Sequence, residues 1–162
     1  MGEPLWTAWF ENTRVMVTEE RRIEVRELLA RVDAWAARRP DVVAVALVGS
    51  WARGRPRMGS DVDLVVLTTD KPTYLGEEVW MAELGGTRII RTRDWRPLYT
   101  ERRFVLPSGL EVEFGVAPPS WAATDPPDPN VSDDVRDGGL RAIYDPDGIL
   151  ARFIRACRGS PL

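Results

Sequence analysis

The stretch Val48-Gly49-Ser50-Trp51-Ala52-Arg53-Gly54, followed by Gly59-Ser60-Asp61-Val62-Asp63-Leu64, gathers the residues of this sequence best equipped for chemistry. Asp61 and Asp63 stand one residue apart at the head of an aliphatic run. The two-residue period of a strand puts both carboxylates on one face, with Val62 and Leu64 on the other. Two carboxylates held that close repel each other unless a cation or a proton sits between them. Hard oxygen donors suit Mg²⁺, which takes one or two carboxylates together with waters and substrate phosphates. Upstream, Gly49 lets backbone approach a ligand closely. Ser50 is placed to N-cap a short helical turn through Trp51-Ala52-Arg53, whose N–H groups would face an anion. The Ser50 hydroxyl and the Arg53 guanidinium add a donor and a positive charge. A phosphate cradle beside a carboxylate pair is the layout of metal-assisted phosphoryl or nucleotidyl transfer.

The elements around this stretch are readable from periodicity. Asp41 to Val48 and Asp61 to Leu67 are continuous apolar runs, expected as buried strands. Thr18 opens a helix with acids in its first turn; Val25, Leu28, Leu29, Val32 and Trp35 recur at helical spacing, and Pro40 ends the run. A turn at Lys71-Pro72 leads to an expected short helix over Leu75 to Leu84, closed by Gly85-Gly86. Thr87 to Thr92 is an expected strand, and Thr100 to Leu106 with Leu110 to Ala117 an expected hairpin across Pro107-Ser108-Gly109. Trp121 to Asn130 is proline-rich and expected as loop. Leu140 to Tyr144 is a last strand, and Asp145-Pro146 should cap a final helix over 146–158, with Cys157 on its apolar face. The sum is a single α/β (α+β) domain over 1–162, a mixed β-sheet flanked by helices.

Composition narrows the chemistry further. The 162 residues include no histidine, one cysteine, and a single lysine, Lys71, among 22 basic side chains. Ser-His-Asp and Cys-His nucleophiles, His-ligated metals, thiolate zinc clusters and disulfide frameworks are thereby excluded. Lys71 lies in Asp70-Lys71-Pro72, so a Gly-Lys-Ser/Thr phosphate loop is excluded as well. A net charge of −3 argues against general nucleic-acid binding. No apolar run has membrane-spanning length, and Met1-Gly2-Glu3-Pro4 lacks the order of a signal peptide, so the expected location is the cytoplasm, with no membrane partner. Arg88, Arg91, Arg93, Arg96, Arg102 and Arg103 cluster centrally, read first as a solvated face and, alternatively, as a basic hairpin facing a polyanion.

Gly49-Ser50, ten intervening residues, then Asp61-Val62-Asp63 resembles the signature of the polymerase-β-like nucleotidyltransferases, particularly their minimal members and the aminoglycoside adenylyltransferases. The matching core runs over 41–67, with a looser match through the hairpin of 100–117. The resemblance implies a nucleotidyltransferase fold and a third carboxylate on a later strand, as metal ligand or general base. Glu111 and Glu113 share one face of Leu110-Glu111-Val112-Glu113-Phe114; Glu113, deeper in the strand, is the choice, with an ion pair to Arg102 or Arg103 as the alternative role. Asp61, Asp63 and Glu113 would then hold Mg²⁺, two ions in all. Gly49, Ser50 and Arg53 would position the phosphates of ATP or another NTP, and Ser60 would cap or orient Asp61. Trp51 is expected to pack beneath the loop. Trp95 and Tyr99 are aromatic candidates for a nucleobase or for simple cover.

The activity implied is transfer of NMP, as AMP, from an NTP to an acceptor hydroxyl on a small molecule, protein or RNA. The short stretch after the core also resembles antitoxin-like minimal nucleotidyltransferases, which bind or modify a helical toxin partner of the HEPN class. A catalytically inactive nucleotide-binding module and a homo-oligomer are the further alternatives.

Overall fold

In the computed structural model, which describes residues 4, 6–11 and 16–159, the two aliphatic runs become adjacent central strands. These are β1 (Val42–Val48) and β2 (Val62–Thr68). Both are apolar on both faces because each face is covered by its own core. Between them lies α3 (Gly49–Ala52), a single helical turn. The remaining strands are β3 (Arg88–Arg96), β4 (Tyr99–Val105), β5 (Glu111–Ala117) and β6 (Leu140–Tyr144), giving one six-stranded sheet in the order β3-β4-β5-β2-β1-β6. The β2–β5 pairing is parallel and the other four are antiparallel, so this is the expected mixed sheet.

One face of the sheet carries α2 (Glu19–Ala37), whose first turn is capped by Thr18 accepting from the Arg21 N–H at 3.2 Å. Its Val25, Leu28, Leu29, Val32 and Trp35 are all buried, as their helical spacing requires. They meet an aromatic layer in which Trp80 stacks on Phe114 at 4.3 Å between ring centroids. The opposite face is covered by α6 (Pro129–Arg136) and α7 (Ile149–Arg158), with Val135, Leu150, Phe153 and Cys157 buried against β1 and β2. Cys157 is a packing residue, as expected.

Several boundaries differ from those expected. The segment after β2 forms two short helices, α4 (Lys71–Gly76) and α5 (Val79–Glu83), because the chain turns extended at Glu77. β3 runs on to Arg96 and pairs with β4 across a tight turn at Pro97-Leu98, making an additional hairpin. The proline-rich stretch is not all loop: Pro119–Ala122 forms a 3₁₀ turn, and Asp128 N-caps α6 with Pro129 in its first turn. α7 starts at Ile149 rather than 146. Gly148 precedes it at φ 73°, and the Asp145 carboxylate accepts from the Leu150 and Ala151 N–H groups at 3.1 and 2.9 Å. A short helix, α1 (Trp6–Glu11), has no counterpart in the sequence reading; its Trp6 and Phe10 are buried, and Phe10 stacks on Trp51. Met1-Gly2-Glu3 and the ends of the 1–162 domain lie outside the described residues.

Candidate active site

Sheet register builds the site. Val48 pairs with Asp63, Asp63 with Glu113, and Glu113 with Arg103, so a single row crosses β1, β2, β5 and β4. Alternation turns Val62, Leu64, Val112 and Phe114 into the aromatic core and leaves Asp63 and Glu113 on the opposite face. Asp61, one residue before β2, joins them. Asp61, Asp63 and Glu113 each offer a carboxylate oxygen, and the three oxygens lie within 4.8 Å of one another. Glu111 shares that face but is exposed, and it forms an ion pair with Arg103 at 3.2 Å.

Asp63 is the most perturbed member. Burial, then the charges of Asp61 and Glu113, raise its pKa from 3.8 to about 8, against the opposing pull of Arg103. Its Oδ1 is buried with no hydrogen-bond partner among the described residues. An unpaired buried carboxylate oxygen costs about 1–3 kcal/mol or more. Burial likewise raises Glu113 above the usual glutamate range. A hard divalent cation satisfies both conditions together: it supplies the missing partner for Oδ1 and neutralises three crowded carboxylates. The donor set therefore fits Mg²⁺.

Gly49 makes the close approach possible. It adopts φ 77°, and a Cβ there would run into the Asp63 carboxylate. This alters the expectation for Ser50. The turn begins at Gly49 itself, Val48 occupies the N-cap position without a side-chain cap, and Ser50 lies inside the turn, its carbonyl accepting from the Arg55 N–H at 3.0 Å. Arg53 follows as the C-cap residue, its N–H donating to the Gly49 carbonyl at 3.1 Å. Ser60 also differs from expectation: its Oγ accepts from the Arg57 N–H at 2.9 Å, so it closes the loop over 57–60 rather than capping Asp61. Trp51 is buried beneath the turn, as expected.

The residue that sequence reasoning undervalued is Arg103. Its guanidinium donates to Asp61 at 2.6 Å, Glu101 at 2.7 Å, Glu113 at 3.0 Å and Glu111 at 3.2 Å. Although burial alone would favour deprotonation, hydrogen bonds to Asp61 and Glu101 hold it charged, above its ordinary pKa. Glu101 is fully buried; burial opposes its charge, but hydrogen bonds from Arg91, Trp95 and Arg103 outweigh it and lower its pKa. Tyr99 was also missed in this role. Its hydroxyl donates to Glu113 Oε2 at 3.0 Å, its ring lies where a Cβ on Gly115 would be, and burial with the nearby Glu113 charge keeps it neutral. Gly115, a residue with no side chain in the interior of a strand, was the available signal.

The arginine cluster divides. Arg91 and Arg103 serve Glu101, and Arg102 is buried, donating to Thr92 at 2.8 Å, whereas Arg88, Arg93 and Arg96 are exposed. Trp95 is 47% exposed under Arg93, whose guanidinium lies 4.0 Å from its ring centroid. Lys71 Nζ donates to the Leu98 carbonyl at 3.1 Å.

A family model described as a nucleotidyltransferase domain matches residues 26–112, which include Gly49, Ser50, Arg53, Ser60, Asp61 and Asp63 and stop one residue before Glu113. Among solved structures, the Cid1 poly(U) polymerase crystal structure is 14% identical, with a TM-score of 0.49, over 82% of this chain and 38% of that one. A cytoplasmic RNA terminal U-transferase is 15% identical, with a TM-score of 0.49, over 82% and 37%. A further Cid1 structure, described for its plasticity and RNA terminal uridylyl transferase activity, is 14% identical, with a TM-score of 0.50, over 82% and 37%. At such identity the likeness concerns fold alone, and this chain spans well under half the length of those proteins. No curated protein matches the sequence. No described helix is long and apolar enough to cross a membrane.

Proposed function

The chain belongs to the nucleotidyltransferase domain family, and from this premise we propose that it moves NMP, as AMP, from ATP or another NTP to an acceptor hydroxyl and releases pyrophosphate. The observation that carries this reading is the Asp61–Asp63–Glu113 cluster, with its unpartnered Asp63 oxygen, set against the Gly49 turn. Asp61, Asp63 and Glu113 would hold two Mg²⁺ ions. Bound there, Mg²⁺ would supply neutralisation of the charge that builds on the reacting phosphate and its leaving group.

The chain's own residues account for the rest. Glu113 takes the proton of the acceptor hydroxyl as general base. The acceptor oxygen forms a bond to the α-phosphorus as the bond to the bridging oxygen breaks, and pyrophosphate leaves with that oxygen. Tyr99 and Arg103 each grip one oxygen of Glu113 and so fix the carboxylate's direction. Gly49, Ser50 and Arg53 position the outer phosphates, and Ser60 holds the loop that delivers Asp61. Rate enhancement in such a site comes mainly from positioning and charge neutralisation. The whole chain of 162 residues acts as one such domain, and a cytoplasmic setting suits its single buried thiol.

The test is pyrophosphate release from α-labelled NTPs with Mg²⁺ and a cell extract as the acceptor source. Asp63→Ala should lower release by about two orders of magnitude or more while leaving the melting transition cooperative. Unchanged release in that variant would refute the assignment.

A further inference from the structure

Beside Glu113, on the same face of the sheet, lies a cavity of about 710 Å³. Its two walls come from segments far apart in sequence. Trp95 and Leu98, at the β3–β4 turn, form one; Trp121 and Val131, flanking the start of α6, form the other. Val65 of β2 lies on the floor. Arg96 and Asp128 tie the walls together through an ion pair at 3.6 Å. The volume falls within the roughly 300–1,000 Å³ typical of pockets for small molecules.

Its position relative to the reacting groups is informative. Of the three clustered carboxylates, Glu113 lines the cavity and Asp61 and Asp63 do not; Gly49 and Ser50 do not line it either. The cavity therefore opens onto the proposed base, and its nearest approach to the phosphate turn is the preceding Val48. Tyr99 lines it too, with its hydroxyl committed to Glu113 Oε2 at 3.0 Å, while Arg103 occupies Oε1 at 3.0 Å. Each carboxylate oxygen has a second lone pair, so Glu113 can still accept one hydrogen bond from a hydroxyl in the cavity. The walls offer two indole side chains and aliphatic ones, a lining suited to a flat, apolar body.

Resting on the transfer reading above, we infer that this cavity is the acceptor site and that the acceptor is a compact small molecule with a flat, apolar body and one hydroxyl directed at Glu113. The hydroxyl proton passes to Glu113, the oxygen bonds to the α-phosphorus, and pyrophosphate departs; a nucleotidylated small molecule is the product.

The full chain with labelled indole nitrogens allows a test by NMR, the Trp95 and Trp121 signals being assigned from Trp→Phe variants. Adding β-naphthol as a probe should shift those two signals and leave Trp35 and Trp80, buried on the other face, in place. In parallel, α-labelled ATP and Mg²⁺ are supplied with the dialysable fraction of a cell extract or with a short RNA bearing a free terminal hydroxyl. Label should enter a dialysable product, and β-naphthol, competing for the same site, should lower the label on the extract's acceptor. Asn130→Trp, at an exposed residue on the cavity wall, should reduce it about tenfold or more while the thermal shift induced by Mg²⁺ and ATP persists. Leu98→Ala, also at an exposed position, should weaken the β-naphthol effect without unfolding the protein. Three results would overturn the inference: indole signals that ignore β-naphthol, label carried by RNA, or transfer indifferent to both β-naphthol and Asn130→Trp. Those leave the transfer reading standing, whereas absence of pyrophosphate release with every acceptor refutes that reading and this one together.

Discussion

Replacing Asp63 with asparagine removes a buried charge and keeps the side chain's shape, which makes its effect on stability calculable. In the metal-free protein the Asp63 pKa rises from 3.8 to about 8, first through burial and then through Asp61 and Glu113. A carboxyl whose folded pKa lies above its unfolded one contributes fully below pH 3.8, and that contribution is lost as pH rises to about 8. Above that range wild type carries a constant penalty that Asp63→Asn lacks. A rise of about four pH units, at about 1.4 kcal/mol each, sets a ceiling of about 6 kcal/mol. Water reaching this part-exposed side chain lowers the expected penalty to about 1–3 kcal/mol. For a chain of this size that is a difference of about 3–10 °C in Tm. Melting curves of both proteins in a chelator, from pH 4 to 9, should show Asp63→Asn increasingly the more stable, with the gap level above pH 8. Adding Mg²⁺ at pH 8 should stabilise wild type and not the variant. A gap that fails to widen with pH, or a wild type that is the more stable at pH 8 in chelator, refutes the account of Asp63 as a strained metal ligand.

Three other substitutions probe the supports of the site. Gly49→Ala sets a Cβ against the Asp63 carboxylate at a backbone φ of 77°; it should cost about 1–3 kcal/mol and weaken the Mg²⁺-induced rise in Tm. Arg103→Gln leaves four carboxylates without their shared guanidinium and should destabilise the chelated protein by about 3–5 kcal/mol. Mg²⁺ should restore more of that loss in the variant than it adds to wild type, as read from paired melting curves. Trp35→Ala, in the aromatic layer on the opposite face of the sheet from the carboxylate cluster, should cost about 3–5 kcal/mol by denaturant titration while the folded fraction keeps its Mg²⁺ response.

The elements legible in advance were those whose environment is uniform along their length. β1 and β2 are buried on both faces and read as unbroken aliphatic runs, and α2 buries one face at regular spacing. β6 was expected over the residues it occupies, Leu140–Tyr144. What escaped notice lacks such a pattern. β3 is an edge strand with polar residues on both faces, so its extension to Arg96 has no hydrophobic period to announce it. α6 is short, begins at a proline and is mostly polar, which reads as loop until Val135 and Ser132 are seen to be buried. The carboxylate pair rested on motif and alternation, and the choice of Glu113 over Glu111 on its depth in the strand, all of them local. Arg103 is different: its partners come from the segment before β2, from β4 and from β5, and only strand register brings them within reach of one guanidinium. The misassigned Ser50 cap has a similarly local cause, since the backbone reversal at Gly49 starts the turn two residues early.

The row from Val48 through Asp63 and Glu113 to Arg103 also decides which kinds of sequence change this protein can absorb. A point substitution alters one member and leaves the others facing the same way. Gaining or losing a single residue inside β2 or β5 is a different event, because it rotates every later side chain of that strand through half a turn. Carboxylates would then enter the layer of Trp80, Phe104 and Phe114, and Phe114 would emerge among the remaining acids. Length variation among descendants of this sequence is thus confined to the connections, such as 53–60 and 123–128, while the strands can diverge only by exchange of one residue for another.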